Sequence, residues 1–185
     1  MRRIALLAVL LLCPAMYARA QASIYIESSN IRLSDVPGGS ISSPSGPTQQ
    51  YDTYWASGIG GGVTVNILPL PIVSLGVDLR GSTKSGNNGA DTAMVGLKLG
   101  VHPPVLPIKP YVQFSTGYLA TRTPGGSGTI TNKYLAYEVF GGIDYPLMHF
   151  VDFRVIEIGG GGVVDSGSSN SPTLFNVNTG LVLHF

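Results

Sequence analysis

The chain has 185 residues, of which 44% are hydrophobic and only 11% are Asp, Glu, Lys or Arg. Soluble domains carry about 25% charge, so a water-bathed surface of ordinary polarity is excluded. Eleven basic residues stand against ten acidic ones; Arg2, Arg3 and Arg19 fall in the leader described next. The remainder, eight against ten, carries a net charge of −2, which excludes a basic nucleic-acid binder.

The first segment, "MRRIALLAVLLLCPAMYARAQA", reads as an export signal. Arg2 and Arg3 precede an apolar run from Ile4 to Leu12, too short to span a bilayer, and small residues follow at Ala18 and Ala20. The spacing predicts cleavage after Ala20 or after Ala22. The expected organisation is a leader over 1–20 and one β-barrel domain over 21–185. Cys13, the single cysteine, lies inside the leader. Leu12 stands before it where a lipoprotein needs a small residue, so lipid attachment is not the preferred reading. The exported chain then has no cysteine and no disulfide.

Eight period-2 segments follow in chain order. "ASIYIE" (22–27) sets Ile24 and Ile26 on an apolar face. "WASGIGGGVTVNI" (55–67) sets Trp55, Ile59, Val63, Val65 and Ile67 against Gly, Ala, Thr and Asn. "VSLGVDLR" (73–80), "MVGLKLGV" (94–101) and "YVQFSTGY" (111–118) alternate in the same way. "YLAYEVFGGIDY" (134–145), "FVDFRVI" (150–156) and the terminal stretch from Phe175 to Phe185 complete the set. Glu157 breaks the pattern, because strict alternation from Val155 puts it on the apolar face. Either it lies above the hydrocarbon or a bulge re-aims it.

Connections alternate in length. Polar linkers (34–50, 82–91, 122–132 and 159–171) follow the odd strands, and short Pro-bearing turns (68–71, 102–110 and 145–148) follow the even ones. No segment after the leader is apolar for long enough to be a membrane helix. Strands of about ten residues, an even strand number and long loops at one end only predict an all-β fold. The expected architecture is an eight-stranded antiparallel up-and-down transmembrane β-barrel, with both termini on the short-turn, periplasmic side. A secreted β-sandwich also alternates, but with its apolar face inward and a more charged exterior. Tyr51, Tyr54, Trp55, Tyr111, Tyr134, Tyr145, Phe150 and Phe185 cluster near strand ends, as interfacial girdles require.

The chain resembles the small eight-stranded outer-membrane barrels of the OmpA and OmpX type over about residues 22–185. The resemblance is one of architecture and of a terminal motif, polar–x–Gly–x–x–apolar–x–aromatic, which reads Asn178, Gly180, Leu183 and Phe185. No peptidoglycan-binding domain is expected after the barrel. The family implies an outer-membrane location, periplasmic chaperones and the barrel-assembly machinery as partners, and the terminal motif as assembly signal. Outer-membrane lipid is the expected surrounding.

With apolar faces toward lipid, a polar interior cluster is expected from Glu27, Asp78, Arg80, Lys98, Glu138, Asp144, Asp152 and Arg154. Buried charges must pair, since each costs several kcal/mol to desolvate alone. Glu138 with Arg154 is the expected pair, because their strands share a tight turn. Eight strands leave an interior that side chains fill, so an ionic plug is preferred to an ion path. Lipid A-modifying barrels use a His with a Ser and an acid near the outer leaflet. His102, His149 and His184 all map to the short-turn end, so no enzyme is expected, nor any cofactor or metal site. "GIGGGV" (58–63) and "IGGGGVV" (158–164) open no helix and are not phosphate loops. The expected role is structural or surface-interacting through the long loops, whose partner the residues do not name. A narrow channel for ions or small apolar solutes is the alternative.

Overall fold

The computed structural model describes residues 22–43, 46–70, 72–85, 89–125, 128–164 and 172–185, with the side chains of 37–52, 69 and 123–130 excepted. The expected leader, with Cys13, lies outside the described residues, and so does the side chain of Tyr51. Eight strands follow one another: β1 (Ala22–Ser43), β2 (Gly46–Pro69), β3 (Val73–Lys84), β4 (Ala90–Val101), β5 (Lys109–Gly125), β6 (Gly128–Met148), β7 (Val151–Val163) and β8 (Thr173–His184). Each pairs antiparallel with the next, and β8 closes on β1 through a run from Ser23↔His184 to Ser34↔Thr173. The ring therefore has no free edge along its wall.

Alternation produces two surfaces. Ile59, Leu79, Leu97, Phe114 and Val139 point outward and are about half exposed. Ser29, Asp78, Ser115, Glu138 and Asn178, on the opposite parity, are buried within the ring. Apolar side chains on the outside and polar ones inside invert the ordering of a soluble protein.

Two wall segments run further than their polarity suggests. Residues 34–50, expected as a linker, are mostly paired: β1 and β2 continue to Ser43↔Gly46. β5 and β6 likewise pair as far as Gly125↔Gly128 through the expected linker 122–132. Smaller extensions lengthen β3 to Lys84, start β4 at Ala90 and carry β7 to Val163. Above the apolar belt a strand faces water on its outer side, so the hydrophobic alternation stops while backbone pairing does not. The turn expected at 145–148 is also strand, and the reversal falls at His149 and Phe150.

Asp35, at φ 59°, sits at a register shift between Leu33 and Val36. Asp tolerates this left-handed conformation better than most residues. Cα atoms of β1 come within 8 Å of β5, which is not its neighbour in the ring. Ile31, Leu33, Val36, Met94, Leu119 and Leu174 pack together inside the barrel, with Tyr54 and Tyr134 against them. The lumen thus has an apolar cap at its long-hairpin end. Tyr54 and Tyr134 were expected in the girdle. Their parity turns them inward instead, where their rings add to the cap.

Candidate functional site: the ionic lumen

Below the cap, cations and aromatic rings alternate along the lumen. The Arg80 guanidinium lies 4.0 Å from the Phe140 ring centroid and 5.8 Å from that of Tyr25. Arg154 lies 4.4 Å from Tyr25 and 5.1 Å from Tyr111, and Lys98 Nζ is 3.8 Å from Tyr111. Each ring presents the negative face of its quadrupole to a cation removed from water.

Glu157 is the hub of this column. Arg80 Nη1 and Nη2 donate to its two oxygens, each at 3.0 Å. Tyr111 Oη donates to it at 2.6 Å, Asn178 Nδ2 at 2.8 Å, and Arg154 Nη1 approaches within 3.4 Å. The residue has 0% exposure. A bulge accounts for this position: β7 carries an extra residue between Arg154 and Glu157, so Val155 and Ile156 both point outward. The alternation that sends Glu157 to lipid is reset by one residue, and desolvation in hydrocarbon is the physical reason such a reset is favoured.

The expected cluster residues lie as follows. Arg154 donates to Glu27 at 2.9 Å and to Asp144 at 3.2 Å. Asp78 accepts from Tyr25, Thr64, Gln113 and, at 3.3 Å, Arg80. Lys98 Nζ donates to Asp144 at 3.4 Å. Asp152 accepts from Lys109 at 2.7 Å and faces His184 Nε2 at the same distance. Glu138 does not pair with Arg154. It accepts from Asn176 at 2.6 Å, in the upper lumen near the buried Lys84. Asp144, not Glu138, lies beside Arg154 across β6 and β7.

Tyr25, Tyr111 and Phe140 were not expected in the lumen, Gln113 was expected on the polar face but not in the cluster, and for Glu157 the bulge, one of two expected alternatives, is the one observed. Tyr111 was expected in the girdle, but parity with Gln113 and Ser115 places it inside. Strand parity was the available signal for all but Glu157. Two glycines make room for the tyrosine rings. A Cβ on Gly142 would lie 2.5 Å from Tyr111 Oη and 2.8 Å from Cε1, and one on Gly62 would lie 2.5 Å from Tyr25 Oη. Gly142→Ala therefore lowers stability by about 1–3 kcal/mol through overpacking. Gly141→Ala, whose Cβ meets nothing within 4 Å, stays within about 0.5 kcal/mol. Urea midpoints of the refolded protein compare the two.

At the short-turn end the lumen opens into a vestibule of about 50 Å³, lined by Lys98, His102, Lys109, Asp144, Asp152 and His184 among others. Burial and the neighbouring Lys109 push the His102 imidazole below its ordinary value. His149 is exposed in the reversal between β6 and β7. Among the described residues no cluster of His, Cys, Asp and Glu could hold a metal ion. The terminal-motif residues are distributed by parity. Asn178 points into the lumen, Leu183 points outward, and the Phe185 N–H donates to the Ala22 carbonyl at 2.9 Å. A Cβ on Gly180 would lie 2.8 Å from Glu27 Cα.

A closed antiparallel barrel with an apolar outer belt, aromatic residues at its rims and an ion-paired lumen is a membrane-spanning β-barrel. Each strand of the wall pairs with a neighbour on both sides, the arrangement by which a barrel satisfies its backbone in hydrocarbon. No family model matches the chain, and no curated protein matches it. Solved structures do. Neisserial surface protein A is similar with a TM-score of 0.54 at 12% identity, over 89% of this chain and 99% of that one. The N-terminal β-barrel domain of OprF from Pseudomonas aeruginosa has a TM-score of 0.55 at 12% identity, over 89% of this chain and 100% of that one. Ail, the attachment invasion locus protein of Yersinia pestis, has a TM-score of 0.55 at 8% identity, over 90% and 99%. The fold is that of the small eight-stranded outer-membrane barrels.

Proposed function

We propose that the protein is an integral outer-membrane barrel that serves as a closed anchor for its long hairpins. The lumen carries this reading. The apolar cap above and the column from Phe140 to Lys98 below block the axis at two levels. A conducting path needs a continuous polar lumen or loosely held charges. Here the guanidiniums of Arg80 and Arg154 are each held by two or more partners. The paired strands that rise above the belt, β1 with β2 and β5 with β6, are the surface left for an external partner. Two of the structures with the same fold are a surface protein and an attachment protein. The latter has also been solved with a heparin analogue, sucrose octasulfate. An extended polyanion or a host surface is a reasonable class of partner for the hairpins. The proposed role includes no catalysis. It places the termini in the periplasm and gives Asn178, Gly180, Leu183 and Phe185 to the assembly machinery.

The purified protein reconstituted in planar bilayers gives no steady openings. Stepwise conductance would favour the narrow channel instead. On detergent gels the unheated protein migrates as a compact folded band that heating abolishes; fractionation as a soluble protein would defeat the membrane assignment.

A further inference from the structure

The outward face of the barrel is not uniformly apolar. Among the described residues its cations are Arg32, Arg122 and Lys133, and all three lie at the long-hairpin rim. Arg122 pairs with Asp91. Lys133 is exposed and has no ion pair among the described residues. It stands one row above Leu135 of the apolar belt, on the same face of β6, and pairs in register with Ala120. Small Ala120 leaves a hollow beside it. A groove of about 350 Å³ runs there between Lys133, Asp91, Ala93 and Tyr118. A second groove of about 480 Å³ shares Ala93 and Tyr118 and continues across the wall past Gly81 and Gly61. Register places Gly61, Gly81, Ala93 and Tyr118 in one row.

We propose that this groove seats one phosphorylated acyl lipid of the leaflet at the long-hairpin rim. The phosphate meets the Lys133 ammonium, while Arg122, committed to Asp91, neutralises the carboxylate that also lines the groove. An acyl chain lies along the wall over Ala93 and Gly81, held at its side by the Tyr118 ring. Charge complementarity decides the occupant. A cation at the lower edge of the headgroup zone, directly above an apolar trough, matches an anionic head on a hydrocarbon tail. A second copy of this chain would bring the same Lys133 rim against itself or against bare belt. The inference rests on the barrel's spanning a membrane.

The test uses the full exported chain refolded in phosphatidylcholine vesicles with a minor fraction of phosphatidylglycerol of the same acyl length. Retained lipid is counted by native mass spectrometry after extraction in neutral detergent. One phosphatidylglycerol is retained per barrel. Lys133→Gln lowers its retention relative to phosphatidylcholine by about fivefold. Gly81→Leu fills the trough and lowers retention of both lipids. That substitution is structurally mild, since a Cβ at Gly81 meets only the Thr92 carbonyl, at 3.5 Å. Equal retention of the two lipids by the unaltered chain overturns the proposal. So does loss on Lys133→Gln with none on Gly81→Leu, which would mean a headgroup contact without a seat. Doubling of the protein mass in place of lipid would assign the groove to a second copy. Failure to form the compact heat-sensitive band would instead count against the membrane reading itself, so the two failures are distinguishable.

Discussion

Glu157→Ala lowers the unfolding free energy of the refolded barrel by about 3–5 kcal/mol, the loss expected when one partner of a buried ionic network is removed. Arg80 is the residue left stranded. It loses both 3.0 Å bonds to the carboxylate and keeps the 3.3 Å hydrogen bond to Asp78 and the faces of Phe140 and Tyr25. Arg154 retains Glu27 and Asp144, so its loss is smaller. Tyr111 and Asn178 lose an acceptor as well. Glu157→Gln keeps the shape but not the charge; its amide nitrogen cannot accept, so at most two of the four hydrogen bonds to the carboxylate survive, and its cost falls between zero and that of Glu157→Ala. Arg80→Met combined with Glu157→Leu recovers part of the loss: no guanidinium is stranded, but buried Asp78 loses its cation and keeps the hydrogen bonds from Tyr25, Thr64 and Gln113. Unfolding in urea can be followed by the fluorescence of Trp55, the single tryptophan, which lies at the outer rim against Phe175. A cost below about 1 kcal/mol for Glu157→Ala would mean that water reaches Arg80 freely and that the lumen is not sealed.

The same network shows what was readable from the sequence and what was not. Strand number, direction and closure followed from alternation and from the alternating lengths of the connections. Parity then placed Glu27, Asp78, Arg80 and Arg154 on one surface without any structural information. Three things were hidden. Tyr25, Tyr111 and Phe140 share that parity, but a rule that assigns apolar residues to lipid and polar ones to the lumen discards them. They are inside because desolvated guanidiniums need aromatic faces as much as carboxylates. Glu157 required a bulge, which has no sequence signature here beyond the oddity of an acid in an apolar row. The partner of Arg154 depended on register: the reversal falls at His149 and Phe150 rather than at 145–148, so Glu138 pairs with Gly161 and Asp144 comes opposite Arg154. The hairpin extensions were hidden for a different reason. Hydrophobic alternation reports the medium a strand faces, and it falls silent where both faces meet water.

Leu97→Arg separates a membrane wall from a soluble one more sharply than any change in the lumen. Leu97 points outward and is 54% exposed. It lies in the row Val65, Val77, Leu97, Phe114 and Val139, midway between the short turns and the aromatic rim. Its chain neighbours Gly96 and Lys98 face the lumen, so the substitution leaves the interior packing untouched. In water, an arginine on a half-exposed strand position changes stability by about 0.5 kcal/mol or less. At the midplane of a bilayer it costs about 2–4 kcal/mol, because the guanidinium must drag water into the hydrocarbon or bend away from its strand. Thr83→Arg is the matched control. Thr83 also faces outward, but it sits at the upper end of β3 beside Asp91, where the cost falls to about 1 kcal/mol or less. The measurement is urea unfolding in phosphatidylcholine vesicles for both variants. A large loss for Leu97→Arg with a small one for Thr83→Arg fixes the depth of the belt along the strands. Equal and small effects would mean that the apolar exterior is solvated, and a protein with that exterior would not remain monomeric in water.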